Sequence, residues 1–138
     1  MDLGAHVGVA QGTAGSIYQV IYFTNLGNTP CTMYGYPGMA LAAGSSQVDQ
    51  VGAAASRGTG MAATVVTLDA GKSANATLRI VEAGNYPTGT CQPTATTFLQ
   101  IFPPNQTTPI YLAYKSTGCA SSTVNLLSVG VMTAGTGG

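Results

Sequence analysis

The sequence predicts an all-β domain, an immunoglobulin-like β-sandwich of about seven to nine short antiparallel strands. Runs of strand-forming residues recur at short intervals with turn residues between them, and no window carries a helical period bounded by caps. A chain of 138 residues with 45% apolar side chains is also the size of one domain, long enough to bury a core of its own.

The elements follow in order along the chain. Ala5, Val7 and Val9 alternate with His6 and Gly8, which predicts a half-buried first strand with His6 on its solvent side. Residues 17–24 are apolar on both faces, as in a central strand, and stop at the turn-rich Asn25-Leu26-Gly27-Asn28. Residues 30–34 form the next strand and run into Tyr34-Gly35-Tyr36-Pro37-Gly38, where Pro37-Gly38 suits the centre of a type II turn. Residues 39–42 resume as a short strand. From 43 to 63 the composition turns small and polar, with Gly44-Ser45-Ser46 and Gly58-Thr59-Gly60, and reads as linkage or disorder in preference to a functional loop.

Residues 64–68 and 74–82 read as a hairpin around Asp69-Ala70-Gly71-Lys72, with Ala76, Leu78 and Ile80 facing one way and Asn75, Thr77 and Arg79 the other. Residues 98–102 and 109–114 form a second pair joined by Pro103-Pro104-Asn105-Gln106. In the last strand Val124 and Leu126 have one parity and Leu127, Val129 and Val131 the other, so a β-bulge is expected near Leu126. The domain is expected to span 1–132, with 133–138 a flexible Gly/Thr-rich tail. The antibody-type signature is missing: there is no Trp, and Tyr86 stands five residues before Cys91, where a tyrosine corner needs two.

Charged residues are only 6% of the chain, four of each sign, and no two basic residues are neighbours. Nucleic acids and anionic membranes both call for clustered Lys and Arg, so neither is an expected partner. The longest apolar stretches, such as 20–23, are far too short to span a bilayer, so direct membrane insertion is not expected. No signal peptide precedes Asp2; it reads as already removed, with Met1 as an added start residue. A polar but uncharged composition and the cysteine usage point to a secreted or cell-envelope location.

Cys31, Cys91 and Cys119 show none of the close spacings of zinc or thioredoxin-type sites. Cys91 and Cys119 flank two strand-like runs, so a bridge between them would tie the ends of a hairpin and contribute roughly 3.5 kcal/mol in the chain-entropy model. Cys31 is left over. A partner lost upstream of Asp2 is the preferred reading, with an intermolecular bridge or a buried thiol as the others. A catalytic thiol would need a base, and His6 is the one histidine in the chain.

Three segments taken together carry a resemblance: Phe23-Thr24-Asn25-Leu26-Gly27, Cys31-Thr32-Met33-Tyr34-Gly35-Tyr36-Pro37-Gly38 and Leu68-Asp69-Ala70-Gly71-Lys72-Ser73-Ala74. The chain resembles the actinobacterial domain of unknown function 4232 over nearly its whole length, with Met33 where Leu is usual and Asp69-Ala70-Gly71 where the turn usually holds Pro-Gly. The resemblance implies an exported β-sandwich domain, often lipid-anchored or membrane-tethered, with a further cysteine ahead of the first strand as the partner of Cys31. It brings no catalytic residue.

Catalytic and cofactor motifs are incomplete. Ala70-Gly71-Lys72-Ser73 lacks the first glycine of a phosphate loop, since position 66 is Val66. No Gly-x-Ser-x-Gly elbow occurs, and Asp2, Asp49, Asp69 and Glu82 are too dispersed for a glycosidase pair. Met33, Met39 and Met61 could offer thioethers to copper, but one histidine cannot make a blue-copper site. Asn75-Ala76-Thr77 and Asn105-Gln106-Thr107 match the glycosylation pattern by chance in a Thr-rich chain.

Tyrosines at turns are the better signal, because an aromatic ring with a hydroxyl suits recognition. Tyr34, Tyr36 and Tyr86 are therefore the candidate binding-loop residues. The expected function is a non-catalytic, monomeric module without metal or cofactor, which meets an envelope protein or a glycan. A small-ligand carrier, an uncharacterised envelope enzyme or a self-assembling surface subunit are the rivals.

Overall fold

A computed structural model describes residues 2–45, 47–58 and 61–137, so Met1 and the Ser46, Thr59 and Gly60 of the small-residue loop lie outside the described residues, as does Gly138. The chain is mostly β, with 53% of residues in strands and one short helix. The strands are β1 (Leu3–Thr13), β2 (Ser16–Asn25), β3 (Cys31–Met33), β4 (Gly38–Ala43), β5 (Asp49–Gln50), β6 (Ser56–Arg57), β7 (Val66–Leu68) and β8 (Ser73–Val81). After a single 3-10 turn, Ala83–Asn85, and the helix α1 (Thr88–Cys91) come β9 (Pro93–Phe102), β10 (Ile110–Cys119), β11 (Leu127–Val129) and β12 (Thr133–Ala134).

Three sheets result. The largest runs β1-β2-β8-β11-β6, with β12 also on β8; the second runs β10-β9-β4-β5; β3 and β7 form a separate ribbon. Alternation places Ile21 and Phe23 of β2 and Ala76 and Leu78 of β8 on the same buried face as Leu41 of β4 and Leu99 and Ile101 of β9, so the two larger sheets share one core. Met33, Val66 and Leu68 of the ribbon pack into it as well. Strand β2 is central, as its two apolar faces predict, and β9 and β10 pair as the second hairpin.

The helix starts after Pro87 and ends at Cys91, which is bonded to Cys119 at the far end of β10 with their Cα atoms 4.6 Å apart. Cys119 lies opposite Pro93, so the bridge closes the open end of the β9–β10 hairpin, the place the spacing of the two strands predicts. Among the described residues no helix is long and apolar enough to cross a membrane.

Several expectations are corrected. Residues 64–68 and 74–82 do not form a hairpin: β7 pairs with β3, while β8 pairs with β2, β11 and β12. The turn itself is present, with Lys72 N–H donating to Asp69 O at 2.9 Å and Gly71 at φ +79°, but it carries the chain from the ribbon to the large sheet. Pro37-Gly38 is not a type II turn, because Gly38 already stands opposite Phe102 in β4 and the positive φ, +95°, belongs to Gly35, whose carbonyl accepts Met132 N–H. No bulge occurs at Leu126; β11 starts at Leu127, whose N–H is taken by Asn125 Oδ1, so the change of parity falls at the end of a turn.

In β1 a register shift between Val7 and Ala10 breaks the alternation, and Val7 and Val9 are both exposed. Residues 49–55 run beside β4, with Val51 N–H donating to Leu41 O and Ala55 N–H to Met39 O, and the small-residue stretch contributes the two-residue strands β5, on β4, and β6, on β11. Thr133 and Ala134, read as part of a tail, form β12.

Polar joints inside this fold are made by carboxamides. Asn25 is 2% exposed; its Nδ2 donates to Thr29 O at 2.8 Å and Leu68 O at 3.0 Å, and its Oδ1 accepts Gly27 N–H at 2.9 Å. Its backbone bonds Lys72 O and Gly71 N–H, so one residue holds the end of β2, the loop to β3, the end of β7 and the turn into β8. Gln19, also buried, fills the β1 bulge: Nε2 reaches Gly8 O, Val9 O and Val20 O, while Oε1 accepts Tyr114 Oη–H at 3.3 Å. Asn75 holds the C-terminal segment, with Nδ2 on Gly135 O at 3.0 Å and Oδ1 accepting Thr133 Oγ1–H at 3.2 Å.

Replacing Asn25 by Ala removes a buried hydrogen bond to Leu68 O and part-buried ones to Thr29 O and Gly27 N–H, so Asn25→Ala is expected to lower the unfolding free energy in urea by about 2 kcal/mol, against about 0.5 kcal/mol for the exposed Asn28→Ala. Equal losses for the two variants would contradict the role given to Asn25.

Candidate functional site

The turn tyrosines fall into two groups. Tyr86 directly follows the 3-10 turn, where Glu82 N–H donates to Gly15 O in the β1–β2 turn, and its half-buried ring packs on the core. Tyr34 and Tyr36 lie between β3 and β4, beside Gly58 and Met132. The structure therefore places Tyr86 in a packing role and leaves Tyr34 and Tyr36 as neighbours.

Tyr36 is the anchored member. Its hydroxyl donates to Gly58 O at 2.7 Å, its ring packs against the core, and the Arg57 guanidinium stands 5.2 Å from the ring centroid. Those contacts fix the stretch after β6 alongside residues 34–36, and Gly58 N–H also donates to Val129 O at the end of β11. An Arg over a tyrosine face in this geometry is held by the ring quadrupole and by stacking.

Tyr34 is the presented member, 53% exposed. The β3–β7 register ends at Met33 opposite Val66, so one step further sets Tyr34 opposite Val65, which is 64% exposed. Met61, four residues before Val65, is 59% exposed. Exposed tyrosine, valine and methionine side chains thus occur on the segments that adjoin the Arg57–Tyr36 pair and the β3–β7 ribbon along the chain, a composition suited to apolar contact. Nothing in the sequence singles out Val65, and Met61 stands out there only as a thioether; the signal for Val65 is its place in the β-branched run 64–68, whose partner strand the sequence does not reveal.

The other predicted residues sit apart from this face. His6 is exposed and stacks on Tyr22 at 4.9 Å between ring centroids, opposite it in the β1–β2 register. Cys31 is half-buried and free, opposite Leu68 at the outer end of the ribbon. Burial pushes its thiol above the ordinary value, and the positive amino terminus pulls it partly back. Met33 and Met39 are core residues. Asn75 of the first glycosylation pattern is buried and bonded to the C-terminal segment. Among the described residues no group of three His, Cys, Asp or Glu could hold a metal ion.

What these features define is a mostly β domain tied by the Cys91–Cys119 disulfide, a bond expected in an oxidising setting, with exposed apolar and aromatic side chains near its small ribbon. The model of the domain of unknown function DUF4232 matches residues 1–133, and the chain belongs to that family. No curated protein and no solved structure matches the chain.

Because thiolate is the reactive form, a thiol whose pKa is raised reacts more slowly at neutral pH. Alkylation of Cys31 by iodoacetamide, followed by mass spectrometry of the native protein, should keep accelerating through pH 9; a rate that levels off below about pH 8.5 would contradict the burial effect.

Proposed function

We propose that the chain is a non-catalytic interaction module of the cell envelope or the secreted space, built as an immunoglobulin-like sandwich and monomeric on its own. Two sheets over one core, antiparallel except where β6 runs parallel to β11, support the sandwich reading, and the Cys91–Cys119 bridge supports the extracytoplasmic one. The observation that carries the functional reading is the exposure of Tyr34, Val65 and Met61, three large apolar side chains on the segments around the ribbon and the Arg57–Tyr36 pair, which we take as one Tyr34 face. Tyr and Arg are the residue types that dominate binding energy at protein interfaces, and they do so where surrounding contacts exclude water.

The partner class proposed is a protein, in preference to a glycan. Val65 and Met61 offer aliphatic contact with no hydrogen-bonding group, which suits another apolar surface better than a sugar's hydroxyls. With formal charges of four and four, recognition would rest on shape and apolar area, and association would depend little on salt.

Immobilised protein should capture an envelope protein from detergent extract, and the double variant Tyr34→Ala/Val65→Asp should lose at least about tenfold of it while Tyr111→Ala, at an exposed tyrosine of β10, keeps it. Capture of the same protein by all three forms equally would reject the Tyr34 face as the binding surface.

A further inference from the structure

A cleft lies between β2 and β8 of the large sheet and the β9–β10 hairpin of the second. Its walls are Ile17 of β2, Ile80 and Val81 of β8, and Pro93, Ser116 and Thr117 from the β9–β10 hairpin; residues 82–84 close it from the side of the 3-10 turn. The volume is about 370 Å³, within the range of small-ligand sites. None of the residues of the Tyr34 face lines it, so it is a separate feature with its own chemistry.

Three observations define what would fit. The lining is dominated by aliphatic carbon from Ile17, Ile80, Val81, Ala83 and Pro93. The hydroxyls of Ser116 and Thr117 have no side-chain hydrogen-bond partner among the described residues. Glu82 is the one charged residue in the lining, and it is exposed and forms no ion pair among the described residues. The nearest cations in sequence do not offset it: Arg79 lies over the Tyr18 ring on the outer face, its guanidinium 5.9 Å from the centroid, and Lys115 does not line the cleft.

We infer that this cleft binds a small amphiphilic amine, the apolar body lying between Ile17, Ile80, Val81 and Pro93 and the ammonium held near Glu82, with Ser116 and Thr117 accepting from it. The charge of the lining sets the sign of the ligand: a carboxylate of the same shape would meet Glu82 with no cation to balance it. The aliphatic walls set its body, since apolar burial gives affinity in proportion to chain length. The inference does not rest on the interaction-module reading, and either can fail without the other.

The test is an NMR titration of the 15N-labelled protein with butylamine, hexylamine, octylamine, 1-octanol and octanoate. Octylamine should cause saturable shifts centred on the amides of Ile17, Val81, Glu82, Ala83, Gly84, Ser116 and Thr117, tightening about fourfold per added methylene across the amine series until the chain fills the cleft. Octanoate should bind at least about tenfold more weakly than octylamine. Glu82→Gln, at an exposed position that leaves the fold intact, should remove the preference for octylamine over 1-octanol while leaving 1-octanol binding unchanged. Shifts that do not saturate or that spread over the whole molecule would overturn the site. Equal affinity for octanoate and octylamine, or an amine preference that survives Glu82→Gln, would overturn its assignment to amines.

Discussion

The chain leaves the large sheet at Asn25, builds the β3–β7 ribbon from segments far apart in sequence, and must return at Ser73 beside the strand it left. The side chain of Asn25 bonds the loop on the way out, at Thr29 O, and the end of the ribbon on the way back, at Leu68 O; its backbone bonds the turn between Asp69 and Ser73. The Asn25 side chain and the Leu68 carbonyl it reaches are almost closed to water, where an unmatched polar group would cost about 1–3 kcal/mol. A leucine of similar size would fill the space and orphan both carbonyls. An aspartate would keep the acceptor and lose both donors.

Gln19 and Asn75 repeat the same solution at the β1 bulge and at the C-terminal segment. The composition explains why carboxamides do this work. With so few charged residues the fold cannot join its segments by ion pairs, and burying a charge costs far more than burying a neutral amide that finds its partners. The Thr-Asn-x-Gly turn that marks the family resemblance is therefore structural here: Gly27 supplies the N–H that Asn25 Oδ1 takes.

Strands were legible where alternation or a two-faced apolar run is long, as in β2, β8 and the β9–β10 pair, and so was the Cys91–Cys119 bridge that depends on that pair. The supposed hairpin across Asp69-Ala70-Gly71-Lys72 was not, because a tight turn looks the same whether the chain doubles back in one sheet or crosses to another; contacts from Asn25 decide it. The alternation of Val7 and Val9 misled because a bulge moves residues between faces, and the bulge is stabilised by Gln19, on the neighbouring strand. Strands β5 and β6 are two residues each and have no pattern to read. At the candidate face Tyr34 could be picked out by its turn, whereas Val65 gains its meaning only from the pairing of β3 with β7.

If the fold depends on Asn25 as a joint, its carboxamide stays locked until the whole domain opens. Hydrogen exchange of side-chain amide protons, followed by NMR, tests it directly. The Asn25 Nδ2 protons should exchange only through global unfolding, with a protection free energy equal to that of the core amides of Phe23 and Ala76. Exchange as fast as that of the exposed Asn28 side chain would show that the joint opens on its own and that the fold does not depend on it.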